Sequence, residues 1–254
     1  MLSAHFSSNP KFTNEVWGLT VPLENTSHFI TCSDDATLRL WDLQNKEEIA
    51  SARLDFDQNL KKIKKNATTG DWADEAKGRC LAVSRDGYII VGCKDGSIKI
   101  FDDNLKPLSS TAISKKEISD IKISREDDLV AIGSHDAFIY LCSWKAPSLK
   151  VKYRMKKHSS YITHLDFSCD GNYLHSTCGA YELLFWDANK GQQCTSGATM
   201  LRDEGWYTWT ATLGWPVQGV WSKFMDGTDI NAVDRSRLAY EDNLRFVATG
   251  NDHG

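Results

Sequence analysis

No apolar run in the 254 residues approaches the roughly 20 needed to span a bilayer. The opening MLSAHFSSNPKF lacks the apolar centre of a secretory signal. Positive charge is not in surplus. Thirty Lys and Arg face 34 Asp and Glu, for a net charge of −4. General nucleic-acid binding is disfavoured, because it needs a cationic face to displace counterions. No C-x-x-C pair occurs among the seven scattered cysteines, Cys32, Cys80, Cys93, Cys142, Cys169, Cys178 and Cys194. They read as reduced, buried thiols of a cytosolic protein. The histidines show no metal-ligand spacing, and neither G-x-x-x-x-G-K-S/T nor G-x-G-x-x-G is present. No metal, nucleotide or other cofactor is therefore expected. Sustained helical periodicity is also missing. A chain of this length with 41% hydrophobic residues buries enough surface to fold without staples.

What is present is a repeat. Four segments share one frame: FITCSDDATLRLWD (29–42), IIVGCKDGSIKIFD (89–102), VAIGSHDAFIYLCS (130–143) and LHSTCGAYELLFWD (174–187). A fifth, FVATGNDHG (246–254), matches the first half. The turn positions are Asp35, Asp95, Asp136, Ala180 and Asp252. Their spacing implies a period of about 42 residues with two insertions. Each unit has an apolar run upstream, such as VWGLTV or ITHLDFS, and the complete units have another downstream, such as EEIASARL or QQCTSGAT. The runs alternate and are rich in β-branched and aromatic residues, which is strand chemistry.

Each unit thus reads as a four-stranded antiparallel sheet. One such sheet cannot bury both faces alone; stacking sheets radially buries them. The expected fold is all-β, a propeller with units at 16–54, 79–113, 119–156 and 162–199. A partial unit follows at 229–254, and insertions fall at 55–78 and 200–228. The period and the LWD and FWD endings resemble the WD40 repeat. That family often joins a turn Asp, a loop His, a strand Ser or Thr and a strand Trp by hydrogen bonds. On that pattern the first unit offers Asp35, Thr31 and Trp41 without a His. The fourth offers His158, Ser176 and Trp186, with Ala180 in place of the Asp. In the second and third units Phe101 and Cys142 replace the Trp, so those blades are expected to lean on apolar packing. The frame demands two more strands after the last residue. The expectation is a piece of a longer protein, a truncated chain, or a segment completed by another chain.

A narrower resemblance rests on EVWGL (15–19), GSHDAFIY (133–140), HSSYITHLDFS (158–168) and WYTWTATLGWPVQGVW (206–221) followed by DGTDINAVD (226–234). These are similar to the echinoderm microtubule-associated protein-like family. That resemblance implies a propeller linked to tubulin and other partners. The chain carries neither that family's N-terminal coiled-coil segment nor its propeller-opening hydrophobic motif.

Three stretches are candidates for function. Ser134-His135-Asp136 has hydrolase letters, but neighbouring strand residues point to opposite faces, and a catalytic triad needs hydrogen-bonded geometry. It reads as a strand entering a turn. The insertion NLKKIKKNATTGDWAD (59–74) carries Lys61, Lys62, Lys64 and Lys65. This basic loop is either a plain solvated segment or a site that attracts acidic tails of tubulin. The stretch EGWYTWTATLGWPVQGVW (204–221) holds four of the nine tryptophans. Its indoles, including Trp206, Trp209 and Trp215, read as a structured loop packed on the propeller. Partner contact, a cation cage and a membrane face remain as alternatives.

The reading is a non-catalytic interaction scaffold, part of a microtubule-associated protein on the cytoplasmic cytoskeleton, spindle or cilium. Its expected partner is tubulin, microtubules or another cytoskeletal protein, with no nucleic acid, membrane or small-molecule substrate. The alternative is a general WD40 adaptor in signalling or ubiquitin ligation.

Overall fold

The computed structural model describes residues 5, 15–22, 25–56, 76–221, 229–236 and 245–252. Among these residues eighteen strands form five antiparallel sheets, each in simple meander order. The first contains β1 (Val16–Thr20), β2 (His28–Ser33), β3 (Thr37–Asp42) and β4 (Glu47–Arg53). The second contains β5 (Gly78–Val83), β6 (Ile89–Cys93), β7 (Ser97–Phe101) and β8 (Pro107–Ala112). The third contains β9 (Ile118–Ile123), β10 (Leu129–Ser134), β11 (Phe138–Lys145) and β12 (Ser148–Lys156). The fourth contains β13 (Ile162–Phe167), β14 (Tyr173–Cys178), β15 (Leu183–Asp187) and the two-residue β16 (Gln192–Gln193). A two-stranded sheet pairs β17 (Ile230–Arg235) with β18 (Val247–Asn251). The architecture is an incomplete WD40-type propeller whose first strands, β1, β5, β9 and β13, pack side by side around the centre.

Burial follows from that arrangement. The middle strands β6 and β7 are buried along their whole length, whereas the outer β12 alternates exposed and covered residues. A strand sandwiched on both faces has no solvent side and reads as a continuous apolar run. The core is accordingly divided between sheets. Ile30, Leu38, Ile89 and Phe101 fill the first junction. Ile90, Ile100, Ile121 and Ile132 fill the second, and Leu141, Ile162, Phe167 and Trp186 the third. The second and third blades, which lack the Trp, thus bury Phe101 and Cys142 at that position.

The turn between second and third strand repeats in detail. Asp35 accepts the Thr37 N–H at 2.9 Å, Asp95 that of Ser97 at 2.9 Å, and Asp136 that of Phe138 at 3.0 Å. This is the Asx turn, in which a short carboxylate replaces a backbone acceptor. The next residue is left-handed each time: Ala36, Gly96, Ala137 and Tyr181. Every first strand also carries a bulge near its start, around Trp17, Arg79, Ser119, Thr163 and Asn231. A bulge re-aims the extra side chain. Arg79 lies over the Trp17 ring at 4.8 Å and forms ion pairs with Asp34 and Glu117.

The fourth blade departs from the expected run through residue 199. Its last strand is only Gln192–Gln193, and a helical turn, α1 (Gly197–Met200), follows. The sequence QQCTSGAT has too little alternation and too many small residues to hold an outer strand. All seven cysteines are free thiols, five of them buried. Among the described residues no helix is long and apolar enough to cross a membrane.

Candidate functional site

Two polar junctions lock blades one and four. In the fourth, the Ser176 hydroxyl meets His158 Nε2 at 2.6 Å and accepts Trp186 Nε1–H at 2.8 Å. Ala180 supplies no carboxylate, so Glu182 replaces it from two residues further on. Its carboxylate meets His158 Nδ1 at 3.2 Å and accepts the Ser159 N–H at 2.9 Å and hydroxyl at 2.8 Å. Those bonds, led by the Ser159 N–H, hold the Glu182 carboxyl down to about 2. Burial pulls His158 below the usual histidine range and favours the neutral ring.

The first blade is not missing its histidine. His5 Nδ1 meets Asp35 at 2.9 Å and His5 Nε2 meets the Thr31 hydroxyl at 2.8 Å, while Trp41 Nε1–H donates to Thr31 at 2.8 Å. The set is complete. It escaped the sequence reading because His5 lies eleven residues before β1, whereas His158 lies four before β13. The signal was a lone histidine upstream of an otherwise complete Asp-Thr-Trp set. The third blade builds its junction from other residues: Asp136 accepts from the Ser114 hydroxyl at 2.8 Å and the Tyr140 hydroxyl at 2.6 Å. In the fifth sheet Asp252 accepts from Asn231 at 2.6 Å.

Ligand atoms of His158, Cys178 and Glu182 lie within 4.8 Å of one another, close enough to share a metal ion. His158 already has both ring nitrogens bonded, and the Cys178 thiol contacts Glu182 at 3.2 Å. A cation there would have to break the blade's own junction. Ser134-His135-Asp136 forms no relay: Ser134 bonds Ser114 at 2.9 Å, and the His135 ring packs on Tyr161 at 4.8 Å.

The tryptophan stretch covers the open face of blade four. Trp206 makes an isolated antiparallel bridge to Ser168, and the Tyr207 N–H donates to the Phe167 carbonyl at 2.8 Å. The Trp206 indole is 1% exposed. It stacks on His175 at 3.8 Å and 5° and tilts against Phe185, with Leu201 beside it. This cluster lies where the next sheet of a propeller would pack. Truncating an indole so buried costs about 3–5 kcal/mol, so the ring is core. Trp206, weighed above for partner contact, therefore presents no surface to a partner.

The loop is pinned on its other side by Asp166. That carboxylate accepts the Thr208 N–H, the Thr208 hydroxyl and the Trp209 N–H at 3.0, 2.7 and 2.6 Å. Trp209 takes a left-handed φ of 59°, which this buried acceptor holds in place. Its indole is half-buried beneath the Arg235 guanidinium at 4.3 Å. Trp215 opens a 3₁₀ turn, Trp215–Val220, and is 44% exposed. Its Nε1–H donates to Ala198 O at 3.1 Å, and Arg202 lies 4.9 Å from the ring. Trp221 donates to Thr212 O at 2.8 Å. The indoles thus point to separate partners and do not converge on one pocket, which excludes a cage built from them. Lys61, Lys62, Lys64 and Lys65 lie outside the described residues.

Comparison with known proteins adds a second line of observation. A family model described as the echinoderm microtubule-associated protein second beta-propeller matches residues 16–254. The ciliary WD repeat-containing protein ctxp80 of Euplotoides octocarinatus is 34% identical over 248 residues, covering 94% of this chain and 33% of its own. Echinoderm microtubule-associated protein-like 3 of Homo sapiens is 36% identical over 245 residues, covering 94% and 24%. The 77 kDa echinoderm microtubule-associated protein of Lytechinus variegatus is 33% identical over 249 residues, covering 95% and 33%. The chain therefore spans between a quarter and a third of the length of these relatives.

Proposed function

The chain belongs to the echinoderm microtubule-associated protein-like family, and from that premise we propose that it is a non-catalytic interaction scaffold that engages tubulin or microtubules on the cytoplasmic cytoskeleton. The observation that carries this reading is the match through 94% of the chain to a relative named as echinoderm microtubule-associated protein-like. A second relative is named as ciliary, which supports a microtubule setting. The chemistry of the site supports the non-catalytic part. Its polar clusters are closed hydrogen-bond sets that join strands to turns: Ser134 and Asp136 both bond the Ser114 hydroxyl, while the His135 ring packs on Tyr161 outside that set. Tubulin's acidic tails suit the basic loop at Lys61, Lys62, Lys64 and Lys65 as a steering element.

Co-sedimentation with stabilised microtubules, together with binding to tubulin dimers, tests the proposal. The chain is expected in the pellet at low salt and depleted from it at high salt, because exposed charge pairs are screened. Absence from the pellet at low salt, with no dimer binding, would sink the microtubule reading and leave a general adaptor. Replacing the four loop lysines by alanine is expected to slow association and weaken pelleting.

A further inference from the structure

The C-terminal ends of β1, β5, β9 and β17 surround a cavity of about 560 Å³. The tryptophan stretch closes a further side, presenting Tyr207, Thr208 and Thr210 to the cavity while Trp206 faces away into blade four. Its floor is apolar: Leu19, 65% exposed, stands beside the buried Leu81 and Ile121. Apolar surface inside a concave site is the usual mark of a ligand site.

The rim is cationic. Arg85, Arg125, Arg235 and Lys122 line the cavity, against Asp127 and Asp234. Lys122 is paired with Asp120. Among the described residues no carboxylate lies within ion-pair distance of the other three cations. Arg85 instead donates to the Arg125 carbonyl at 2.6 Å, which fixes two arginine-bearing loops relative to each other. Arg235 rests on the Trp209 ring, whose backbone is held by Asp166, so its guanidinium is held at the rim. A stacked, planar fork is the geometry that grips a carboxylate in two places.

We propose that this cavity takes an acidic peptide segment of the partner, with carboxylates on Arg125 and Arg235 and an apolar side chain against Leu19 and the floor below it. The proposal deepens the scaffold reading above and rests on it for the identity of the partner. The chemistry selects the guest: guanidiniums with no carboxylate partner among the described residues ask for anions, and the apolar floor asks for a hydrophobic neighbour that free phosphate lacks.

The test is fluorescence anisotropy of the 254-residue chain with a labelled peptide of glutamates around one phenylalanine. Parallel titrations use the glutamine version of that peptide. Binding is expected for the glutamate peptide and is expected to weaken about tenfold in Arg125→Ala/Arg235→Ala. Lys106→Ala, outside the cavity, is expected to bind unchanged. Should the alanine pair unfold, Arg125→Lys/Arg235→Lys keeps the charge and removes the fork, and a clear loss of affinity is still expected. Equal binding of the glutamine peptide, or no change in the arginine variants, overturns the site. Microtubule pelleting separates the two readings. A double variant that pellets like the wild type, with a flat peptide titration, ends this proposal and leaves the scaffold standing. Arginine-dependent peptide binding by a chain that ignores tubulin keeps the cavity and ends the tubulin reading.

Discussion

Oδ1 of the buried Asp166 accepts both the backbone N–H of Thr208, at 3.0 Å, and its hydroxyl, at 2.7 Å. One carboxylate on a central strand thereby anchors a loop more than forty residues further along the chain. Burial pushes its pKa up to about 6 despite those bonds. A carboxyl raised in the folded state favours folding when protonated, so its contribution is full below the unfolded value near 4 and is lost as pH rises through about 6. Urea unfolding at pH 5 and pH 7, compared with Asp166→Asn, is expected to show the wild type gaining about 1 kcal/mol relative to the variant at the lower pH. An unchanged difference between the two proteins would contradict this.

His175, across the same loop, has the opposite sign. Its ring stacks on Trp206, and neither ring nitrogen has a hydrogen-bond partner among the described residues. Burial alone pulls its pKa down to about 3. A base depressed in the folded state gives stability that is full above the unfolded value near 6.5 and is lost as pH falls toward 3. At pH 5 the penalty is about 2 kcal/mol. His175→Phe keeps a ring under the indole and removes the proton site. It is expected to abolish that acid-side loss, read as a shift in the urea midpoint between pH 7 and pH 5.

The junction at Ser176 predicts a different response. Its hydroxyl meets His158 and Trp186 at once. Ser176→Ala leaves a buried indole N–H and a buried imidazole without their acceptor or donor. The expected loss is about 2–3 kcal/mol, read by denaturation. Thr31→Val at the matching place in blade one removes the same link for His5 and Trp41 and is expected to cost a similar amount.

The propeller was legible because its signals are local and repeated. Asp35, Asp95 and Asp136 mark one turn chemistry, and strand alternation needs only neighbours. What was hidden depended on distance. His5 joins Thr31 across a segment longer than the one between His158 and Ser176, and spacing alone does not reveal that. Glu182 replaces the acid of blade four from a position the frame assigns to the next strand. The packing role of the tryptophan stretch was readable from the repeat register, which puts it in an over-long connection between two units. Its hold on Asp166 was not, because an Asp in the alternating run ITHLDFS looks like an ordinary polar strand position until the chain returns over it. The three arginines of the cavity, Arg85, Arg125 and Arg235, come from three separate segments, and no sequence window contains them together.

Blade contacts supply the last prediction. A methyl added at Gly92 would meet Ile118 Cγ2 at 2.6 Å, and one added at Gly133 would meet Ile162 Cγ2 at 2.6 Å. Both glycines sit on the second strand of one blade, against the isoleucine that opens the first strand of the next. Between blades one and two the sizes are exchanged: Cys32 takes the second-strand place, and Gly78, on β5, is the small partner, its added methyl meeting Cys32 Cβ at 2.6 Å. Each interface therefore holds one large and one small residue at the same level, and close-packed blades leave no room for two large ones. Gly133→Ala is expected to cost about 1–3 kcal/mol by overpacking. Gly219→Ala, with nothing within 4 Å, is expected to be near neutral. Coupling distinguishes overpacking from a general effect of replacing glycine. If the methyl acts by pressing on Ile162, then Gly133→Ala in an Ile162→Ala background costs less than in the wild type, and the double-mutant cycle closes with a coupling of about 1 kcal/mol or more. Additive effects in that cycle would locate the damage in the β10 backbone and not in the blade interface.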